Sequence, residues 1–349
     1  MSALKPITIV GGGLAGLTLG IGLRRREIPV VIWEAGRYPR HRVCGEFISG
    51  NGQAVLERLG LRSRFEEAGA ICARTAIFVC GPNRSPVRRL PAPALCLSRH
   101  AMDALLAESF QQLGGDLRLN TRWNLGEYGE GVVRAAGRRV QPAENGRRWF
   151  GVKAHVSRYS PVNLEADLEM HVSSAAYVGV NRINDGEVNV CGLFRVRHGE
   201  LQPGSKPEWL RGEPGSPLNQ RLGAAQFEPD SFCSVAGLSL KPQRAAAKAE
   251  CCIGDALTMT PPVTGNGMSM AFESAEMAIE PLAAYSRGRL DWTAARQQIA
   301  RRCDAAFSRR LAWARILQWL IISPAPRSWP GSMLLCSEWL WRLLFARTR

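Results

Sequence analysis

None of the ten cysteines stands in a CxxC pair, and the five histidines form no cluster with metal-ligand spacing, which argues against a structural metal site. Long apolar runs are also missing. The longest tracts, near the C-terminus, are broken by Arg315, Glu338 and Arg342 and fall short of the roughly 20 residues needed to cross a bilayer. The first apolar run, Ile7-Thr-Ile-Val10, leads into glycines with no cleavage-site pattern, which implies a reducing cytoplasm and free thiols. Acidic residues are in deficit: 30 Asp and Glu against 45 Lys and Arg give a formal charge of +15. Such an excess favours anionic partners, but zinc-finger spacing, lysine-rich runs and an aromatic-interleaved basic stripe are absent. That argues against nucleic acid and leaves an acidic membrane surface or a plain solvated one. What is present is a globular composition, 46% hydrophobic with 35 glycines, in a 349-residue chain long enough for about two domains.

At the N-terminus a β-branched run, Pro6-Ile-Thr-Ile-Val10, is followed at once by Gly11-Gly-Gly-Leu-Ala-Gly16. Gly11, Gly13 and Gly16 have the GxGxxG spacing. The first permits a tight turn, the second lets the backbone approach a pyrophosphate, and the third lets helix and strand pack closely. The pattern predicts a helix over Leu17 to Arg26, with Leu14 and Ala15 in the phosphate-facing turn. A second strand, Val30-Val-Ile-Trp33, ends in Glu34, placed to accept hydrogen bonds from a ribose diol. Strand, helix, strand and terminal acid in this order specify dinucleotide binding without separating FAD from NAD.

A second signal comes late, at Glu250-Cys-Cys-Ile-Gly-Asp255, a short apolar strand ending in Gly-Asp. The loop Ala256-Leu-Thr-Met-Thr-Pro-Pro-Val-Thr-Gly-Asn-Gly267 follows. Met268, Ala271, Phe272, Ala275, Ala278, Ile279 and Leu282 then recur at helical spacing. Taken with GxGxxG and Glu34, this set resembles the p-hydroxybenzoate hydroxylase and geranylgeranyl reductase superfamily of FAD-dependent oxidoreductases. The resemblance covers most of residues 1 to about 290. It implies that Asp255 lies near the ribityl and pyrophosphate region and that Pro262, Gly265, Asn266, Gly267 and Met268 offer backbone amides to the flavin. It also implies that Arg99, in Leu97-Ser-Arg-His-Ala-Met-Asp103, and Arg42 join the cofactor set. Pro39-Arg-His-Arg-Val-Cys-Gly-Glu46 is similar to a segment of the geranylgeranyl reductase branch that passes beside the isoalloxazine ring. Cys44 and Glu46 are therefore candidates for the reaction site: Cys44 lining the cavity, Glu46 orienting a neighbouring group or water. A nucleophilic Cys44 would need the positive field of Arg40, His41 and Arg42.

The middle of the chain changes period. Gly151 to Val156, Leu168 to Val172, Ala176 to Ile183 and Glu187 to Val196 are strand-like, with Asn184-Asp-Gly186 as a hairpin turn and Thr75 to Val79 as a further strand. The fold class implied is α/β: a Rossmann-like FAD-binding domain of the glutathione reductase type, an inserted antiparallel substrate sheet, and a C-terminal helical segment. The expected division is 1–70, 97–150 and 233–290 for the FAD-binding domain, 71–96 and 151–232 for the substrate domain, and 291–349 for the tail. Two departures stand out. Ala136-Gly137 occupies the place of an Asp-Gly pair common in the superfamily, which puts the route of flavin reduction in doubt, and the WxWxxP segment of flavin-dependent halogenases is missing. Three functional readings follow: FAD-dependent reduction of C=C bonds in a prenyl or polyketide-like molecule, hydroxylation by a flavin monooxygenase, or a flavin-binding partner without turnover. The electron donor, NAD(P)H or another, stays open. The Arg-, Trp- and Leu-rich tail from Phe307 onward suits either an anionic membrane surface or packing on the core.

Overall fold

The computed structural model describes residues 3–124, 128–138, 147–173, 176–197, 206–238, 241–322 and 337–348. The chain opens with β1 (Ile7–Val10), α1 (Leu14–Arg24) and β2 (Val30–Trp33). β1 lies between two strands and has helices over it, so Ile7 and Ile9 are fully buried, and a continuous apolar run is what such a strand requires. α1 begins three residues earlier than the periodicity predicts. Gly13, extended, is its N-cap, so the glycine loop runs directly into the helix.

The chain continues through β3 (Phe47–Ile48), α2 (Asn51–Arg58), α3 (Arg62–Glu67), β4 (Ile71–Cys80), β5 (Asn83–Arg84), β6 (Arg88–Cys96) and α4 (Arg99–Gln112). Next come β7 (Asp116–Arg118), β8 (Val132–Arg134), β9 (Arg147–Val156), β10 (Leu168–Val172), β11 (Ala176–Arg182) and β12 (Val188–Arg197). The last elements are α5 (Lys206–Trp209), α6 (Pro217–Leu222), β13 (Cys233–Ala236), β14 (Cys251–Cys252), α7 (Gly267–Ser286), α8 (Trp292–Ile322) and α9 (Glu338–Arg347).

Two sheets organise these elements. The first is parallel, in the order β14-β8-β1-β2-β7, with α1, α4 and α7 in its core; this is the Rossmann-type layer. The second runs β13-β9-β12-β11-β10-β4-β6-β3 and is antiparallel except for the parallel pair β10 and β4. Asp185 and Gly186, at φ 59° and 75°, make the turn between β11 and β12 where the sequence placed a hairpin.

α8 is one 31-residue helix. Its buried stripe, Phe307, Leu311, Ala314 and Gln318, faces inward, while Ile316 and Trp319 are exposed. No helix among the described residues is long and apolar enough to cross a membrane.

Candidate functional site

The three signature glycines differ in what surrounds them. Gly11 sits at φ 110°, and a Cβ there would strike the Ala135 carbonyl at 2.5 Å; a Cβ on Gly16 would strike the Gly11 carbonyl oxygen at 2.0 Å. Both are required by the protein's own packing. Gly13 is different: a Cβ there meets nothing within 4 Å, and the same holds for Gly267 at the start of α7. Neither helix start carries a side-chain cap, so their first amides point into open space, the arrangement an anion at a helix N-terminus uses. Leu14 and Ala15 are buried behind the first of these turns, and Met268 behind the second. Pro262 lies in the 3-10 turn Pro262–Thr264, and Gly265, left-handed at φ 62°, closes it against the Phe47 ring.

Charges converge on the same space. The Asp255 carboxylate makes no hydrogen bond among the described residues. Burial raises its pKa, and the guanidiniums of Arg138, Arg99 and Arg42 pull the other way. Asp103, fully buried, holds two of these arginines: it accepts two bonds from Arg99 at 2.8 Å each and one from Arg42 Nε at 3.0 Å. The structure thus brings Arg42, Arg99 and Asp255 together and adds two residues that the sequence reading missed. Arg138 stands two positions after Ala136, on the segment where a carboxylate was expected. Asp103 follows Arg99 at the i,i+4 spacing of a helical ion pair, a signal visible in the sequence.

Glu34 is occupied differently from the expectation. Its Oε2 accepts from Gly12 N at 2.9 Å, and its Oε1 from Gly36 N at 2.8 Å and from Arg40 at 2.7 Å. Burial opposes ionisation, but these donors with Arg42 outweigh it and hold the carboxyl below the usual range. Tyr38 donates to the Gly12 carbonyl beside it. A ribose diol here would share Glu34 with Arg40 rather than meet a free carboxylate.

The Cys44 loop meets the larger sheet. Glu46, fully buried at φ 57°, accepts from the Arg99 backbone amide at 2.8 Å, pairs with Lys153 Nζ at 3.2 Å and with His155 Nε2 at 2.7 Å. His155 Nδ1 reaches Glu187 at 2.8 Å, and Lys153 Nζ reaches His41 Nδ1 at 3.1 Å. His41 stacks on His100 and meets His155 edge-on, so three of the five histidines gather here. Burial alone would raise the Glu46 pKa; the His155 bond, Lys153 and the Arg99 amide lower it below the ordinary value. The side chains that Glu46 meets are Lys153 and His155. The field expected to activate Cys44 is committed elsewhere: Arg40 to Glu34, Arg42 to Asp103, and His41 to Lys153. Burial pushes the Cys44 thiol up despite nearby Arg99, which favours the protonated, inert form.

The register of the sheet grades this face. Reading across β9, β12 and β11, one row holds Gly151, Leu193 and Tyr177, the next Lys153, Cys191 and Gly179, the third His155, Asn189 and Asn181. Asn189 donates to the carbonyls of Cys44 and Gly45 at 3.2 and 3.0 Å, which ties the loop to the polar end, and Val43 of the same loop lies against Gly151 in the apolar row.

Acid is expected to destabilise this array. Burial, then Lys153, His155 and His100, push the His41 pKa down from 6.5 to about 4, against Glu46. Between those values the unfolded chain binds a proton that the folded one refuses, so stability falls as pH drops below 6.5. His100, also lowered, has the same sign; Glu46, lowered, extends the loss at more acid pH; Asp255, raised, opposes it. Urea denaturation at a series of pH values should show this decline, and His41→Asn should flatten its upper part; a flat wild-type curve would contradict the assignment.

Residues 5–146 match the family model described as FAD binding domain. The match spans less than half of the chain. A curated relative, Monooxygenase 1 of Arabidopsis thaliana, is 31% identical over 105 residues, a match spanning 30% of this chain and 26% of that relative. Among solved structures, the flavin-dependent brominase Bmp2 aligns with a TM-score of 0.74 at 17% identity, covering 98% of this chain and 92% of that one. PqsL of Pseudomonas aeruginosa, described as a probable FAD-dependent monooxygenase, aligns at 0.69 and 16% identity over 95% of this chain and 100% of its own. The myxobacterial chondrochloren halogenase CndH aligns at 0.73 and 15% over 100% and 91%. At these identities the likeness establishes the fold. The site's residues fit FAD: two uncapped helix starts with open glycine faces, and a guanidinium set suited to a diphosphate.

Proposed function

We propose that this chain is an FAD-dependent oxidoreductase of the monooxygenase type acting on a hydrophobic small molecule. The observation that carries the reading is the adjacency of the FAD-binding domain's open glycine faces and guanidiniums to a sheet face that turns from polar to apolar beside the Cys44 loop. The relatives above, described as monooxygenases and halogenases, support oxygen chemistry over the C=C reduction that the Cys44–Glu46 segment suggested. Bound FAD supplies the redox chemistry: with two electrons from a reduced nicotinamide or another donor, one oxygen atom enters the substrate and the other leaves as water. The protein's part is positional. Arg42, Arg99 and Arg138 would neutralise the diphosphate, Asp103 fixes two of them, the Glu46 array ties the loop to the sheet, and the row of Gly151, Leu193 and Tyr177 would exclude water from the substrate side.

Purified protein should be yellow. Reduced anaerobically and mixed with oxygen, it should pass through a transient absorbance before the oxidised spectrum returns. Single-phase reoxidation without any transient, with or without an aromatic ligand, would overturn the monooxygenase reading in favour of the reductase.

A further inference from the structure

Large apolar side chains stand in water on two helices, α8 and α9. Ile316 and Trp319 of α8 are 48% and 62% exposed, and Trp339 of α9 is 72% exposed. On α8 the two continue an uncovered stripe that begins with Arg309 and Ala312, at the three- and four-residue spacing of one helix face, and the exposed Arg315 lies beside it. Apolar groups that cluster in this way on a surface, rimmed by charge, mark a contact.

The contact is not with the rest of this fold. α9 is already seated by its other side: Leu344 is buried, Trp341 meets the Phe78 ring edge-on at 5.3 Å, Glu338 pairs with Arg88 at 3.1 Å, and the Thr348 carbonyl accepts from Asn266 Nδ2 at 2.7 Å. Arg347, over the Trp313 ring at 5.9 Å, joins α9 to the stretch of α8 that carries Ile316.

Charge selects the occupant. Residues 291–349 hold ten arginines and three acidic residues, so this sixth of the chain supplies +7 of its +15. All three acids are engaged: Asp291 accepts from the Ala294 amide, Asp304 from the amides of Ala245 and Ala246, and Glu338 from Arg88 and Arg342. Arg309 and Arg315 make no hydrogen bond or ion pair among the described residues. Exposed guanidiniums beside indole rings match the headgroup boundary of a bilayer, where the cations meet phosphate and the amphipathic rings sit between water and acyl chain. Side chains this exposed stand proud of the surface, which suits insertion into a fluid layer better than a fit to another protein.

We propose that the exposed face formed by the C-terminal half of α8 and by α9 docks on a bilayer surface that contains anionic phospholipid. Arg309 and Arg315 pair with the headgroups, while Ile316, Trp319 and Trp339 enter the boundary below them. The contact is peripheral, since no described helix is long and apolar enough to cross. It stands independently of the flavin chemistry.

The test is flotation of the full-length protein with vesicles of phosphatidylcholine, alone or with phosphatidylserine, at low and at high salt. Wild type should rise with the anionic vesicles at low salt, rise less at high salt, and stay down with the neutral ones. Arg309→Gln combined with Arg315→Gln should weaken partitioning roughly 30-fold, about fivefold for each arginine. Ile316→Ser combined with Trp319→Ser should weaken it on the order of tenfold. Both pairs should keep the wild-type Tm, because they alter exposed side chains only. A net charge of +15 attracts anionic surfaces by itself, so Arg158→Gln combined with Arg289→Gln removes the same charge from exposed positions elsewhere and should bind like wild type. Wild type that fails to rise with anionic vesicles, wild type that rises equally with neutral ones, or helix variants that lose no more than this control would overturn the proposal.

Discussion

Glu46→Ala is expected to destabilise the protein by about 3–5 kcal/mol, the range found when one partner of a buried ion pair is removed. The carboxylate is fully buried and serves three donors from two regions: the α4 amide of Arg99, and Lys153 and His155 of β9. Its loss leaves the Lys153 ammonium, itself fully buried, without a counter-charge, and frees the loop that carries Cys44 from the sheet. The damage should come from the stranded cation more than from a missing attraction. Adding Lys153→Met to Glu46→Ala should therefore recover a large part of the lost stability. Urea denaturation of the two variants and wild type measures this; a single variant within about 1 kcal/mol of wild type would show that the pair is not the linchpin described.

The second large effect concerns the cofactor. Gly13→Val should weaken FAD binding on the order of 100-fold, about 2.7 kcal/mol, while leaving the apoprotein's stability close to wild type. The separation follows from geometry. Gly13 has an ordinary φ of −85°, and a Cβ there meets no protein atom within 4 Å, so the fold itself does not need glycine. The open space in front of α1 is what a pyrophosphate would fill, and valine's methyl groups would enter it. Equilibrium dialysis of FAD against the variant, with a thermal melt of the apoprotein, reads the two halves separately. A variant that stays yellow at full occupancy would refute the assignment of this loop.

How much was legible beforehand varies with sequence distance. Ile7–Val10, Gly11 to Gly16 and Val30–Trp33 form one contiguous unit whose geometry is written in local spacing, and α7 with the loop before it is written in the same way. Leu168–Val172 and the Asn184–Gly186 turn were legible because alternation and turn chemistry are also local. The Cys44–Glu46 stretch was not legible as to role. Glu46 meets Lys153 and His155 across more than a hundred residues, and a shift of one position in β9 would point both away from it.

The sequence by itself thus determined a dinucleotide cradle and a strand-rich partner region, because glycine spacing and hydrophobic period act between near neighbours. Only the tertiary structure decided that Arg40 sits on Glu34, that Arg138 faces Asp255, that Glu46 binds a lysine and a histidine, and that Gln318 is buried without a hydrogen-bond partner among the described residues. Each of these depends on register and on how separate elements pack, and burial then sets the strength of every charge and hydrogen bond involved.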